Sequence, residues 1–441
     1  MLQKIISIVV TLLAVQSFAG VTLKLQPSQP VLLEKQRQVT ILSIDLEAAD
    51  RVVSQRDRMP VNLAVVMDQS GSMAGDRIEQ AKEAARTVVG LLGPEDIFSL
   101  VTYDDEARTI VPATKLRDKR SVLRQIDRIQ SDGNTALFAG VSKGIGEVRK
   151  FRKKGQVNRV ILLSDGMANV GPSSSAELES LGRSAGKEGI TVTTIGLGLG
   201  YNEDLMSGLA LASDGNHAFV ENSQDLAAIF EREIGGVLSV VAQSLQIEIQ
   251  CPEGVRPIRV LDQDAEIRGN HVTLFFNQMY AAQKKSLLLE VELQAGKQGT
   301  SMEVAQVHLA YQDPFSGKSE NQSRATNVRF SVDPQQVRQA TYKPAVVEAA
   351  KAKANIASKD ALRLRDQGDY QAAGAVMQKS LEEMSVLGED LGIPELKEES
   401  EGMKKEAEVL SAPASSSDLN RSRKQLKATQ YERSSKFSIQ K

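Results

Sequence analysis

The sequence predicts an α/β fold: a doubly wound, mostly parallel sheet inserted in a β-sandwich and followed by a small α-helical region. Three observations lead there. Between residues 59 and 240, short apolar runs alternate with amphipathic helical stretches, the pattern of a parallel sheet covered by helices on both faces. On either side of that block the apolar period drops to two, as in half-buried antiparallel strands. Beyond residue 340 the pattern is helical alone. A chain of 441 residues is long enough for two or three such units.

Residues 1–19 read as a signal peptide. Lys4 supplies a positive start, residues 5–15 an apolar run too short to span a bilayer, and Ser17-Phe18-Ala19 the small residues read by a signal peptidase. The protein is therefore expected to be exported, periplasmic or extracellular, with no transmembrane segment in the mature chain. Residues 20–58 hold two alternating runs, Val21-Leu23-Leu25 and Thr40-Leu42-Ile44-Leu46. Two strands alone are marginal in water, and strand-like partners return only after residue 240. The simplest solution is one sandwich, 20–58 with 241–334, interrupted by an α/β unit at 59–240 whose ends lie close together.

Within that unit, residues 61–67 are almost wholly apolar and break at Asp68 into a polar loop. A helix follows over 76–92, stopped by Gly93-Pro94, then a strand over 97–103 and an antiparallel return over 108–111. Helices are expected at 119–129 and 136–151. A second apolar strand, 157–163, ends in Ser164-Asp165-Gly166. A helix at 176–188, strand at 191–195, helix at 203–212, short strand near Phe219 and helix at 226–238 complete the set. The sandwich strands are expected at 245–251, 272–276, 287–293, 305–311 and 328–332. Over 340–411 the segment around Gly368-Asp369-Tyr370 resembles one tetratricopeptide helix–turn–helix unit, which cannot bury its apolar face alone; a third helix is expected over 394–410. Residues 412–441, with seven basic residues against two acidic and few apolar ones, read as a mobile basic tail.

Composition narrows the function. A formal net charge of −2 gives no basic field, so no nucleic-acid partner is expected. The three histidines, His217, His271 and His308, stand in no zinc-ligand spacing. Cys251 is the single cysteine, which excludes an internal disulfide and reads as a buried thiol. Gly140-Val141-Ser142-Lys143-Gly144 fits the G-x-S-x-G of hydrolase elbows but falls inside a predicted helix with no suitable histidine after it.

The residues that carry chemistry begin with Asp68, Ser70 and Ser72, which emerge together at the carboxyl end of a buried strand. All three offer oxygen, which suits a hard divalent cation. Singly, such residues also cap helices or start turns. Joined by Thr135, in Asp132-Gly133-Asn134-Thr135, and by Asp165, in Leu162-Leu163-Ser164-Asp165-Gly166, they resemble the von Willebrand factor type A domain over roughly residues 59–240. Asp132 departs from the glycine often found there and reads as a turn starter or an outer partner of the ion.

That resemblance implies a metal-ion-dependent adhesion site. The metal ligands would be Asp68, Ser70, Ser72, Thr135 and Asp165, the ion Mg²⁺ (or Ca²⁺ or Mn²⁺), and the remaining coordination would come from water or a partner protein's Asp or Glu. Leading strands, inserted domain, sandwich and helices together resemble exported bacterial members related to inter-α-trypsin inhibitor heavy chains. The expected function is metal-dependent protein binding without catalysis. A metal-assisted hydrolase using the same pocket, and a scaffold binding through the helical hairpin, are the alternatives.

Overall fold

The computed structural model describes residues 20–50, 58–153, 155–412 and 416–435; the expected signal peptide lies outside them. Three strands come first: β1 (Val21–Pro27), β2 (Val31–Leu33) and β3 (Gln38–Ala48). The α/β unit then runs β4 (Val61–Asp68), α1 (Asp76–Leu91), β5 (Ile97–Tyr103), β6 (Ala107–Lys115), α2 (Lys119–Asp127) and α3 (Leu137–Phe151). It continues through β7 (Val157–Ser164), α4 (Ser175–Lys187), β8 (Ile190–Leu197), α5 (Glu203–Ala212), β9 (His217–Val220) and α6 (Leu226–Val237). Strands β10 (Val240–Gln250), β11 (Val255–Val260), β12 (Glu266–Arg268) and β13 (His271–Tyr280) follow, then β14 (Lys284–Leu293), β15 (Ser301–Gln312) and β16 (Ser319–Ser331). The helices α7 (Pro334–Ala340), α8 (Lys343–Asp366), α9 (Tyr370–Leu391), α10 (Pro394–Ser411) and α11 (Ser416–Ser435) close the chain.

The α/β sheet has the order β6-β5-β4-β7-β8-β9, with β6 alone antiparallel. Strand β4 is buried along its whole length because both faces are covered. Leu63, Val65 and Met67 meet α1 and α6, whereas Ala64 and Val66 meet α3. Each such buried Leu, Val or Met contributes about 1.5–3 kcal/mol. The chain runs outward from β4 through β5 and β6, then returns to β7 on the other side. The crevice at the carboxyl ends of β4 and β7 is therefore the switch point where open α/β sheets place their sites.

The G-x-S-x-G match belongs to this packing. Gly140 and Gly144 lie in α3 on the face that meets the sheet. A Cβ on Gly140 would stand 2.5 Å from the Tyr103 ring, and one on Gly144 would overlap Val66 Cγ2. The two glycines let the helix approach the sheet closely.

The flanking strands form two antiparallel-dominated sheets, β1-β3-β14-β11 and β12-β13-β10-β15-β16-β2, with a shared core that includes Leu23, Ile44, Leu46, Ile247, Leu289 and Leu309. Strands before the α/β unit thus pair with strands after it. The two junctions meet at one turn: Ala281 N donates to Ser239 O at 2.8 Å, and Ala282 N to Ala49 O at 3.1 Å. Cys251 is buried beside β10, and burial pushes its thiol up to about 11. Strands β2, β11 and β12 and helix α7 are too short or too polar for the apolar alternation to mark.

Helices α8, α9 and α10 share a core of Leu362, Met377, Leu381, Met384, Leu396 and Met403. Their outer face does not stand alone: Ala349 and Ala352 of α8 pack on Ile41, Leu261 and Leu288 of the sandwich. One expectation is overturned here. In place of a mobile tail over 412–441, residues 416–435 form α11, seated on α5, β9 and α8. The helix buries little apolar surface and is held by ion pairs to residues about two hundred positions earlier, which composition cannot show.

Candidate metal centre

Three loops converge at the switch point. The first follows β4, where Asp68 is fully buried, Ser70 is buried and Ser72 is exposed in a short 3₁₀ turn. The second precedes α3 and carries Thr135, 4% exposed. The third follows β7 and carries Asp165, 1% exposed. Backbone hydrogen bonds lace them together: Gly71 N to Gly133 O at 2.9 Å, Asp132 N to Gln69 O at 2.7 Å, and Asn169 N to Thr135 O at 3.2 Å. Fixed backbone of this kind pre-organises side chains for a small ligand.

All five sequence-predicted residues lie in this cluster. Asp68 accepts from Ser70 N through Oδ1 and from Ser164 Oγ through Oδ2, both at 2.9 Å. Ser70 Oγ and Ser72 Oγ stand 3.1 Å apart, and Ser72 Oγ donates to Asp165 Oδ1 at 2.7 Å. A Cβ on Gly166 would lie 3.3 Å from Thr135 Oγ1 and 3.5 Å from Ser72 Oγ, so these hydroxyls face one space. Asp132 turns its carboxylate onto Gly133 N at 2.8 Å, the part of a turn residue rather than a metal partner.

Four residues outside the predicted set shape the site. Ser164 orients Asp68, and its position directly before Asp165 was the one available signal. Asn169 accepts from Thr135 N at 2.8 Å. Gln69 Nε2 donates to Asp104 Oδ2 at 2.6 Å, tying the first loop to the end of β5. Arg77, at the start of α1, donates to Asp165 Oδ2 at 2.6 Å. With Arg77 on Oδ2, Asp165 keeps Oδ1 turned to the hydroxyls.

Electrostatically the cluster suits a hard cation. Burial pushes the Asp68 carboxyl up to about 6, and the nearby Asp165 charge adds to that rise against the hydrogen bonds from Ser70 and Ser164. The groups that donate to Asp68, Ser70 N and Ser164 Oγ, are both neutral. A buried carboxylate without a cation is costly, and two carboxylates with three hydroxyls match the oxygen preference of Mg²⁺, Ca²⁺ or Mn²⁺. Among the described residues no group of three or more His, Cys, Asp and Glu is arranged to hold a metal ion by itself, so the hydroxyls of Ser70, Ser72 and Thr135 are needed to complete a set of oxygen ligands here.

Behind the third loop lies a buried aromatic group. His217, at the start of β9, contacts Thr194 Oγ1 through Nδ1 at 2.9 Å, and its ring stands 5.9 Å from those of Tyr201 and Tyr431. Burial, assisted by the Lys424 charge and opposed by Glu203, lowers its pKa to about 4. The native state thus binds fewer protons than the unfolded state between about 4 and 6.5. This stabilisation is complete above pH 6.5 and is lost as pH falls through 4, by at most about 3 kcal/mol. Urea unfolding at pH 7.5 and 4.5 should show it, and His217→Gln should flatten the difference; an equal pH slope in both proteins would refute the assignment.

Comparison with known proteins gives the same fold. Residues 62–232 match the family model of the von Willebrand factor type A domain. An uncharacterized protein of Synechocystis is 26% identical over 272 residues, 59% of this chain and 64% of the relative. The human inter-α-trypsin inhibitor heavy chain H3 is 28% identical over 210 residues, 44% of this chain and 23% of the relative. The chain thus spans less than two thirds of the length of these relatives. A solved von Willebrand factor type A structure from Catenulispora acidiphila superposes with a TM-score of 0.72 at 14% identity, covering 94% of this chain and 97% of that one.

Proposed function

Given that residues 62–232 form a von Willebrand factor type A domain, we propose that the chain is a protein-binding module whose grip depends on a divalent cation. Asp68, Ser70, Ser72, Thr135 and Asp165 would hold the ion, Mg²⁺ before Ca²⁺ or Mn²⁺, and a partner's Asp or Glu would complete its coordination. The ion supplies a positive, oxygen-seeking centre; the protein's own residues orient the donors, Ser164 holding Asp68 and Arg77 holding the far oxygen of Asp165. The observation that carries this reading is the meeting of two buried carboxylates and three hydroxyls at the switch point, in three loops joined by backbone hydrogen bonds.

The charge balance points the same way. Two carboxylates against a divalent ion leave no negative surplus, and Arg77 on Asp165 shifts the balance further towards an incoming anion. Catalysis finds less support: the Ser142 motif is spent on helix packing. Export through residues 1–19 belongs to the same proposal and is tested by finding the mature amino terminus at residue 20. Partner capture from the native compartment in Mg²⁺, in chelator, and with Asp68→Ala is the direct test. Capture should fall at least about tenfold in the last two conditions, since losing even an outer partner of a metal ligand typically costs about 10–100-fold in metal affinity. Equal capture in all three would reject the metal.

A further inference from the structure

We infer that α11 is an intramolecular latch, whose docking on the α/β unit sets the loop between β8 and α5 against Asp165. The contacts that seat it are ionic. Arg423 bridges Asp204 at 2.7 Å and Asp366 at 2.7 Å, and also pairs with Glu203. Lys424, only 4% exposed, donates to Tyr201 O at 2.6 Å, pairs with Glu203, and lies 4.4 Å above the centroid of the Tyr201 ring. Lys427 reaches Asp204 at 2.9 Å. Farther along, Tyr431 donates to Gly215 O, while Gln430 and Ser434 bond to Ser358 and Asn355 of α8. One helix therefore ties α5 and β9 to the helical region.

The seat of this helix is continuous with the metal centre. Tyr201 packs its ring on Gly196, where no side chain would fit. Gly200 presses its backbone on Asp165: a Cβ there would stand 2.6 Å from Asp165 O. The segment 198–202 is thus wedged between Lys424 on one side and Asp165 on the other. Such a chain of direct contacts is a physical route for coupling. Few apolar residues hold the helix, Leu426 and Tyr431 being those it buries among the described residues, and its more exposed pairs, Lys427 with Asp204 and Arg421 with Glu221, weaken with salt, whereas the buried Lys424–Glu203 pair is screened much less. A core helix would not be so easily undocked.

The latched state holds Asp165 and its loop in the arrangement described, so release should loosen the loop. The consequence for cation affinity rests on the metal reading of the site; the loop coupling does not. Linkage then requires that a cation bound there tighten α11 in return.

Hydrogen exchange on the full chain tests this, with wild type, Arg423→Gln, and the double variant Arg423→Gln/Lys424→Met. Exchange over 416–435, and with it over 198–202 and 166–169, should rise about tenfold or more, while β4 stays protected and so reports a folded domain. Arg423→Lys, which keeps the charge but not the fork that reaches three carboxylates, should recover part of the protection. Mg²⁺ titrated by calorimetry should bind the released form about fivefold or more weakly, and Mg²⁺ should slow exchange of α11 in the wild type. If 416–435 is released and 198–202 does not respond, the latch is disproved. If the double variant leaves 416–435 protected, the ion pairs are not what holds it, and the proposal fails equally. If the loop responds but Mg²⁺ binds neither protein, the latch stands and the metal reading falls.

Discussion

Asp68→Asn is expected to stabilise the metal-free protein at neutral pH while abolishing Mg²⁺-dependent capture. Asp68 is fully buried, and burial pushes its carboxyl from an ordinary 3.8 up to about 6. The native state therefore binds more protons than the unfolded state between those values. The favourable contribution of the protonated form is complete below about 3.8 and is lost as pH rises through 6. At pH 7.5 the ionised group works against folding by up to about 3 kcal/mol. Asparagine keeps an acceptor for Ser70 N and offers a donor to the Ser164 hydroxyl, which can turn to accept it, so the shape is kept and the charge is gone. Urea unfolding in chelator should show a gain of about 1–3 kcal/mol at pH 7.5 and almost none at pH 4. The His217 contribution is common to both proteins and cancels in the difference. A loss of stability at pH 7.5 would mean that Asp68 is a structural ligand of its own loop rather than a group awaiting a cation. A stability gain bought with lost binding is the usual signature of a functional site.

Gly144→Val is expected to lower stability by about 2–4 kcal/mol, and capture with it. Valine would gain somewhat over glycine in helix propensity, well under 1 kcal/mol, which cannot offset overlap with Val66 Cγ2. Because Val66 lies two residues before Asp68 on β4, pushing α3 off the sheet disturbs the strand that presents the site. Ser142→Ala, in the middle of the same motif, should change stability by no more than about 0.5 kcal/mol and leave capture intact. Thermal unfolding and capture of both variants distinguish a packing motif from a nucleophile. Loss of function in Ser142→Ala with a normal melting temperature would reverse the assignment.

The α/β unit was legible because its local signals agree with one another. Strands β4 and β7 read as buried runs, since both faces meet helices, and each ends in a polar turn that leaves no doubt where the carboxyl end lies. Helices α1 and α3 to α6 carry apolar spacing that the packing then uses. Asp68, Ser70, Ser72, Thr135 and Asp165 could be named because their spacing relative to strand ends is a local property. Ser164 and Asn169 orient that set through hydrogen bonds, and Arg77 reaches Asp165 from 88 residues away. Nothing in the order of residues ranks those bonds above the alternatives.

The tail shows the opposite case. Residues 416–435 carry many charges and little apolar periodicity, so composition reads them as solvated, and in isolation an ionic helix of this length would be marginal. Their order comes from carboxylates at 203, 204 and 366, which come within reach only after the α/β unit and α8 have assembled. Fold class, insertion and the clustering of Asp68, Ser70, Ser72, Thr135 and Asp165 could be read from residue order, because periodicity and strand-end motifs are encoded over a few residues. That Arg77 pairs with Asp165, and that Lys424 of the last helix holds Tyr201 O, emerges from the assembled fold. Electrostatic partners are chosen by distance in space, and that distance is set by the fold.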